Sequence, residues 1–383
     1  MSRLICENCG HGSNPKAVKC EWCGAGTHVM HIIDAVTYMD VETYPNYFLI
    51  RFSTGETFEL FEDTTLDIVG LKKALSRYTV YTFNGRGYDV PMIELAIKGA
   101  DCHELKQLSD DITLSNKKWW QLNQIPWLDH VDMMEVSPGQ GSLKMYGAKM
   151  HQRVLQDLPY NPAKRLDWYE IMQVRDYCGI DIENTKNLTE TLRDAVELRK
   201  HITETTGVDV RSRSGAQAAE AVYKATLPGK VYPPVYEEGY TFYFHPAKWM
   251  SFISLPVLQL LATAPFTITT VAKNGKDRCS PRVAMHESLE TLVITIGDTK
   301  YQMGAGGLHS QEESISHVAD DEYSLSDWDC VSYYPASIIN TAIYPTQLGV
   351  GFRDEYKKML ADRVFAKKKM QELDKLIKEL ETK

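Results

Sequence analysis

Asp40 and Glu42 stand two residues apart where an apolar run, MHIIDAVTYMDVET, comes to its end, and no other feature constrains the fold of the chain as much. On a strand, residues i and i+2 share a face, so both carboxylates project from one side of a sheet. An isolated Asp-x-Glu triplet is usually surface decoration. At the end of a buried-looking strand it becomes a candidate for bridging metal ions. The neighbouring text supplies the sheet. YFLIRFSTG and ETFELF read as further strands, with Ser53-Thr54-Gly55 as a hairpin signal. Residues 67–77 read as a helix, and VYTFN is a short strand ending at Asn84. A helix follows from Pro91 to Lys98, with proline in its first turn and Gly99 after it. Three strands, a helix, a strand and a helix form an α/β pattern.

A length of 383 residues predicts two or three domains, and 43% hydrophobic with 24% charged residues predicts a globular chain. No apolar run reaches the length of a membrane span; the greasiest, Phe252 to Ala264, is short and interrupted by Pro256. Without an apolar leader at the N-terminus, the expected location is cytoplasmic, with no membrane partner. A net charge of −9 argues against a passive nucleic-acid coat, which would be basic. It leaves room for a nuclease, whose carboxylates bind the metals that neutralise phosphate.

Four of the eight cysteines crowd the first 23 residues as CENC and CEWC, ten residues apart. Each CxxC turn presents two thiolates to one tetrahedral ion, so Cys6, Cys9, Cys20 and Cys23 predict a structural zinc ribbon over residues 1–28. A module this small needs such a staple. Disulfides and rubredoxin-like iron are the alternatives, and His11, His28 and His31 are spare ligands. The default role is a structural clip; contact with DNA or a partner through Lys16, Lys19 and Trp22 is the sharper option. Cys102, Cys178, Cys279 and Cys330 are scattered and read as reduced, inert residues.

Further along, residues 101–162 are mixed, and 166–206 read as one long helix with apolar positions at Ile171, Val174, Leu188, Leu192, Val196 and Leu198. Residues 207–256 carry Pro228, Pro233, Pro234, Pro246 and Pro256 and read as a connector. Strands are expected at 267–271 and 291–296, and a charged amphipathic helix over the last thirty residues. Two more carboxylates have telling places. Asp89 closes a glycine-rich turn just before a helix, where the plain reading is an N-cap. Asp181 follows Tyr177 by four residues, so phenol and carboxylate share a helix face. Two-metal phosphodiester hydrolysis needs three or four such carboxylates around ions about 3.5–4 Å apart.

Taken in order, DVET, NGRGYD and YCGID resemble the three exonuclease motifs of family B DNA polymerases, which lie in an RNase H-like, DnaQ-type fold. The resemblance implies a 3′–5′ exonuclease domain over residues 29–206. It makes Asp40, Glu42, Asp89 and Asp181 the ligands of two Mg²⁺ or Mn²⁺ ions, with Tyr177 orienting the attacking water. SLKMY is similar to the family's single-strand-binding motif. Thr43, Asn84, Tyr88, Ser142 and Leu143 are thereby implied to hold a frayed primer end, by stacking and by amide and hydroxyl contacts. Four residues separate Asn84 from Asp89, slightly more than the family's usual two or three, and Lys164 is the candidate for the family's supporting lysine.

SLSDWDCVSYYPASIIN resembles motif A of the polymerase palm. This implies that Asp329, rather than Asp327, ends a strand as a metal-binding palm aspartate, and that Tyr334 is the steric gate against ribonucleotides. Tyr333 replaces the usual leucine. Gly304-Ala305-Gly306-Gly307 resembles the segment joining exonuclease to palm. The domains expected here are a connector over 207–300 and a partial palm over 301–383. The family's K-x3-N-S-x-Y-G and Y-x-D-T-D-S motifs do not occur after Ala342, and the last helix, with Arg363 and Lys367-Lys368-Lys369, resembles the approach to the fingers. The expectation is a split, phage-type polymerase. Its exonuclease is complete, its DNA partners are single strands and primer–templates, and a second polypeptide completes the palm. A free-standing exonuclease with a relic motif A is the first alternative; a non-catalytic replisome subunit that binds DNA is the second.

Overall fold

The chain begins with a small antiparallel sheet of β1 (Ser2–Cys6), β2 (Gly12–Ser13) and β3 (Met30–Asp34), in the order β2-β1-β3. The computed structural model describes residues 2–6, 8–13, 17–26, 30–34, 36–115, 118–139, 141–226, 237–245, 255–273, 276–304, 307–341, 344 and 348–381. Lys16, His28, Pro228, Pro233, Pro234, Pro246, Ala305 and Gly306, singled out by sequence, lie outside them. The described residues form two units, Met1–Thr226 and Leu227–Lys383.

After β3 comes β4 (Val36–Tyr44), the middle strand of a second sheet, followed by β5 (Tyr47–Phe52), β6 (Thr57–Phe61), α1 (Ile68–Arg77), β7 (Thr79–Thr82), α2 (Asp89–Ile97), α3 (Cys102–Ser115) and β8 (His130–Asp132). The sheet order is β6-β5-β4-β7-β8. β5 runs antiparallel to β4 and β6, whereas β7 runs parallel to β4 and β8 parallel to β7. The period-2 pattern sorts side chains to two faces. Met39, Val41, Phe48, Ile50 and Phe52 pack with Leu71, Leu75, Met92, Ile93 and Leu105 from α1, α2 and α3. Tyr44, Tyr47 and Leu49 pack on the opposite face with Ile171, Val174, Cys178 and Ile182. Burying each large side chain contributes roughly 1.5–3 kcal/mol, and a sheet covered on both faces holds its strands in one register.

The rest of the unit is helical: α4 (Met133–Val136), α5 (Leu143–Lys149), α6 (Trp168–Thr191), α7 (Arg193–Thr206) and α8 (Gly215–Thr226). α6 opens with a capping box: Asp167 accepts from the Glu170 amide at 2.9 Å, and Glu170 accepts from the Asp167 amide at 3.0 Å. The long helix expected over 166–206 is two helices, because Leu192 leaves helical geometry at φ −97°, ψ 23°. α2 starts two residues before the expected Pro91, so Asp89 is its first residue and Tyr88 its cap.

The cysteine-bearing sheet docks on α1. The Gly12 amide donates to Ser76 Oγ at 2.9 Å, and Arg77 Nε donates to the Gly10 carbonyl at 2.9 Å. A Cβ on Gly12 would overlap the Ser76 carbonyl oxygen, so only glycine allows this approach. Trp22 stacks on His11 at 4.5 Å, meets Trp127 edge-on at 5.2 Å, and donates Nε1–H to the Gly12 carbonyl. The indole raised by sequence as a partner contact makes these contacts within the unit while keeping 38% of its surface exposed, and Lys19 is exposed too.

The second unit holds β9 (Thr241–Tyr243), α9 (Leu255–Thr263), β10 (Pro265–Lys273), β11 (Lys276–Met285), α10 (Glu287–Glu290), β12 (Val293–Ile296), β13 (Thr299–Gly304), β14 (Gly307–Ser310), α11 (Tyr333–Thr341) and α12 (Gly349–Glu381). Its sheets are antiparallel, in the orders β11-β10-β9 and β12-β13-β14. Residues 311–330 contain no strand and are exposed throughout. Asp329 therefore does not end a strand, against the expectation from motif A. SISHVADDEYSLSDWD has no alternation of apolar and polar residues to pair along a sheet edge. No helix among the described residues is long and apolar enough to cross a membrane.

Candidate functional site

On β4, Met39 and Val41 face α1–α3, so Asp40 and Glu42 face α6. There they meet Cys178, and the carboxylate oxygens and Sγ of these three residues all lie within 4.8 Å of one another. Asp181 lies one turn along α6 from Cys178, and Asp89 enters at the start of α2. Glu42 and Asp89 are 8% and 3% exposed. Desolvation pushes the Asp40 carboxyl up to about 8, with the Asp181 charge adding to it. Burial first, then Asp40, Asp181 and Asp89, raises Glu42 well above the carboxylate range. Asp89 is raised well above its usual value by burial and by Asp40, and burial raises Asp181 too. Oδ1 of Asp89 and Oδ1 of Asp181 are buried with no hydrogen-bond partner. Orphaned oxygens among crowded carboxylates fit a hard divalent cation, whose charge would relieve the repulsion. Cys178 is a poor ligand for such an ion: its S–H points at the Asp40 carbonyl at 3.8 Å, and burial keeps the thiol protonated.

Asp132, which the sequence reading passed over, holds the glycine-rich turn that delivers Asp89. Its Oδ1 accepts from the Asn84 amide at 2.9 Å and the Met134 amide at 3.0 Å, and its Oδ2 from the Arg86 amide at 3.0 Å. The Asp132 amide in turn donates to Ser212 Oγ at 2.8 Å. The turn needs this clamp because Asn84 sits at φ +64°, a left-handed conformation that asparagine tolerates at some cost. Under it, His130 Nε2 lies 2.8 Å from Thr82 Oγ1, and burial drives the imidazole pKa down to about 3, so the ring stays neutral.

The residues implied to grip DNA do not form one cluster. Thr43 and Tyr88 line a cleft of about 520 Å³ that also reaches Glu42. Asn84 is exposed on its turn. Ser142 caps α5, accepting from the Met145 amide at 3.2 Å, and Leu143 begins that helix. The same helix brings in a cation that the sequence reading missed. Lys144 Nζ lies 5.5 Å from the centre of the Tyr177 ring, pairs with Asp157 at 3.1 Å, and opposes the upward shifts of Glu42 and Asp181. Its signal was its place as third residue of SLKMY. Lys164 instead pairs with Glu170 and covers the Tyr160 ring at 4.9 Å. Tyr177 is buried, and burial followed by Asp181 raises its phenol far above the usual range, so it carries its proton.

The second cluster is Cys6, Cys9, Cys20 and Cys23, whose sulfurs all lie within 4.8 Å of one another. The Cys6–Cys23 and Cys9–Cys20 separations are 3.7 and 3.6 Å. Disulfides, at about 2.05 Å, are excluded by these separations. Four thiolates about 2.3 Å from one tetrahedral ion would lie about 3.8 Å apart. The two halves are built alike: Gly10 and Gly24, at φ +71° and +74°, donate to the Cys6 and Cys20 carbonyls at 2.6 and 2.9 Å. The cluster can hold a metal ion, and among the described residues no histidine joins it. In the other unit, Asp329 is exposed and Tyr334 projects from α11 at 70% exposure. No protein-family model, curated protein or solved structure matches the chain.

The raised carboxyl pKa values set a pH dependence. A carboxyl whose folded pKa exceeds its unfolded value favours folding at low pH, and that contribution is lost as pH rises through the folded value. For Asp40 the window runs from about 4 to about 8. Without divalent cations, Asp40→Asn should therefore stabilise the chain at pH 8 by at least about 1 kcal/mol and change little near pH 4. Thermal melts of both proteins in EDTA check this; equal differences at the two pH values contradict it.

Proposed function

We propose that the first unit is a metal-dependent 3′–5′ DNA exonuclease with an RNase H-like, DnaQ-type fold. The observation that carries the reading is the convergence of Asp40, Glu42, Asp89 and Asp181 from β4, α2 and α6 into one largely buried site beside a cleft. The mixed sheet with the paired carboxylates on its middle strand supports the fold assignment. The four carboxylates would hold two Mg²⁺ or Mn²⁺ ions, which when bound turn water into a nucleophile and stabilise the leaving oxygen. Tyr177, protonated and beside Asp181, orients the attacking water through its hydroxyl. Lys144 offsets part of the negative charge that an incoming phosphate would meet. Tyr88 and Thr43 lie where the last nucleotide of a single strand would enter. At the four cysteines we propose zinc, bound as a structural clip. Atomic absorption should find about one zinc per chain, absent when the four cysteines are changed to serine.

With Mg²⁺ or Mn²⁺, the chain should shorten 5′-labelled single-stranded DNA from its 3′ end. Asp40→Ala combined with Glu42→Ala should abolish this without changing the circular dichroism spectrum. Tyr177→Phe should slow it by roughly 10- to 100-fold, since it disturbs water and not the ions. Undiminished activity in the double variant refutes the assignment.

A second reading, that this exonuclease serves a split family B polymerase, draws on motif A. Around Asp329, Trp328, Val331, Tyr333 and Tyr334 are 90, 76, 59 and 70% exposed, an apolar surface that favours a partner chain. Its test is primer extension by this chain mixed with a polypeptide carrying K-x3-N-S-x-Y-G and Y-x-D-T-D-S. Synthesis should be lost on Asp329→Ala; synthesis that survives this change removes the reading.

A further inference from the structure

We propose that α3 forms a wall of the strand-binding cleft and that Lys106 takes a backbone phosphate of the DNA there, releasing Asp110 to do so. The proposal rests on the exonuclease reading of the neighbouring carboxylates and extends the interface to a helix outside the motifs that suggested it.

The cleft reaches from Glu42 and Thr43 to Lys106, Ser109 and Thr113 on successive turns of one side of α3. Its polar groups are incompletely used. Thr43 is 5% exposed, and its Oγ1 is buried without a hydrogen-bond partner. A buried hydroxyl left unpaired costs stability unless a ligand or water answers it. Farther up the wall, Ser109 Oγ lies 2.8 Å from the Tyr88 hydroxyl, fixing the aromatic ring against α3.

Lys106 is the unusual member. Its side chain is only 11% exposed, while Asp110, with which it pairs across one helical turn, is 51% exposed. An ammonium has three donors, and Asp110 takes one of them. The partner with easy access to water is the acid, so Asp110 can turn into solvent as a phosphate takes its place, and the nearly buried ammonium is not left unpaired. A phosphate entering the cleft would find the ammonium already ordered. The need for a cation is electrostatic: Glu42, which lines the cleft, belongs to a group of four carboxylates whose negative charge opposes a polyanion. Lys144 answers that repulsion at α5 and Lys106 at α3, on a different element of the site.

A structural ion pair and a phosphate-exchanging pair predict opposite signs for one substitution. The readout is fluorescence anisotropy of a labelled single-stranded DNA with a free 3′ end, titrated with the full chain in Ca²⁺ buffer at several salt concentrations. Lys106→Gln should weaken binding about tenfold and reduce the salt slope by about 0.7. Lys106→Arg should keep both. Asp110→Asn should tighten binding, because it removes the competitor for the ammonium. If Asp110→Asn weakens binding as Lys106→Gln does, or if neither variant moves it, the proposal is wrong. The two ideas fail separately. The expected binding pattern without Mg²⁺-dependent shortening of the strand would remove the exonuclease and leave the phosphate contact; shortening with unchanged binding in all three variants would do the reverse.

Discussion

Like-charge repulsion among Asp40, Glu42, Asp89 and Asp181 is the constraint around which the first unit is arranged. Left to itself a chain would not bring these groups together, because each loses hydration and gains a like-charged neighbour. The opposing forces are apolar and non-local. β4 is covered on one face by α1, α2 and α3 and on the other by α6, so the sheet and its helices cannot relax apart without exposing Phe48, Ile50, Leu71 or Val174. The hydrophobic layers hold together a polar site that its carboxylates alone disfavour.

Rigidity matters most where the backbone is least regular. Asp89 reaches the site from a turn with a left-handed Asn84, and that turn is tied to Asp132 by amide hydrogen bonds rather than by packing. A carboxylate that accepts from backbone amides is a stronger and more directional tether than an apolar contact. Asp132 itself is fixed at the end of β8 and through Ser212, so the turn inherits the stiffness of the sheet edge.

How much of this was legible in the text depended on the range of the interaction. The alternation in MHIIDAVTYMDVET places Asp40 and Glu42 on one face, and the i,i+4 spacing joins Tyr177 to Asp181; both are local periodicities. The four cysteines were equally plain, since CxxC turns encode their own geometry. Asp132 and Lys144 were not, because they meet the site only after β8 and α5 have docked; SLKMY points to the helix that carries Lys144 but not to its approach to Tyr177, and nothing in DHVDMMEV marks Asp132. Leu192 interrupts an amphipathic pattern that continues on both sides of it, so periodicity alone joined two helices. The strand expected before Asp329 came from likeness of sequence, and the local residues, exposed and without alternation, do not form one.

β3 ends at Asp34 and β4 begins at Val36, so a single residue joins the cysteine-bearing sheet to the strand that carries the acidic pair. During synthesis the cysteines precede the main sheet, and the small sheet needs nothing later than β3 to close. A metal-loaded module would then be in place before β5 arrives to pair with β4. The thiolate cluster would then bear on the order of assembly, ahead of every pairing made along β4.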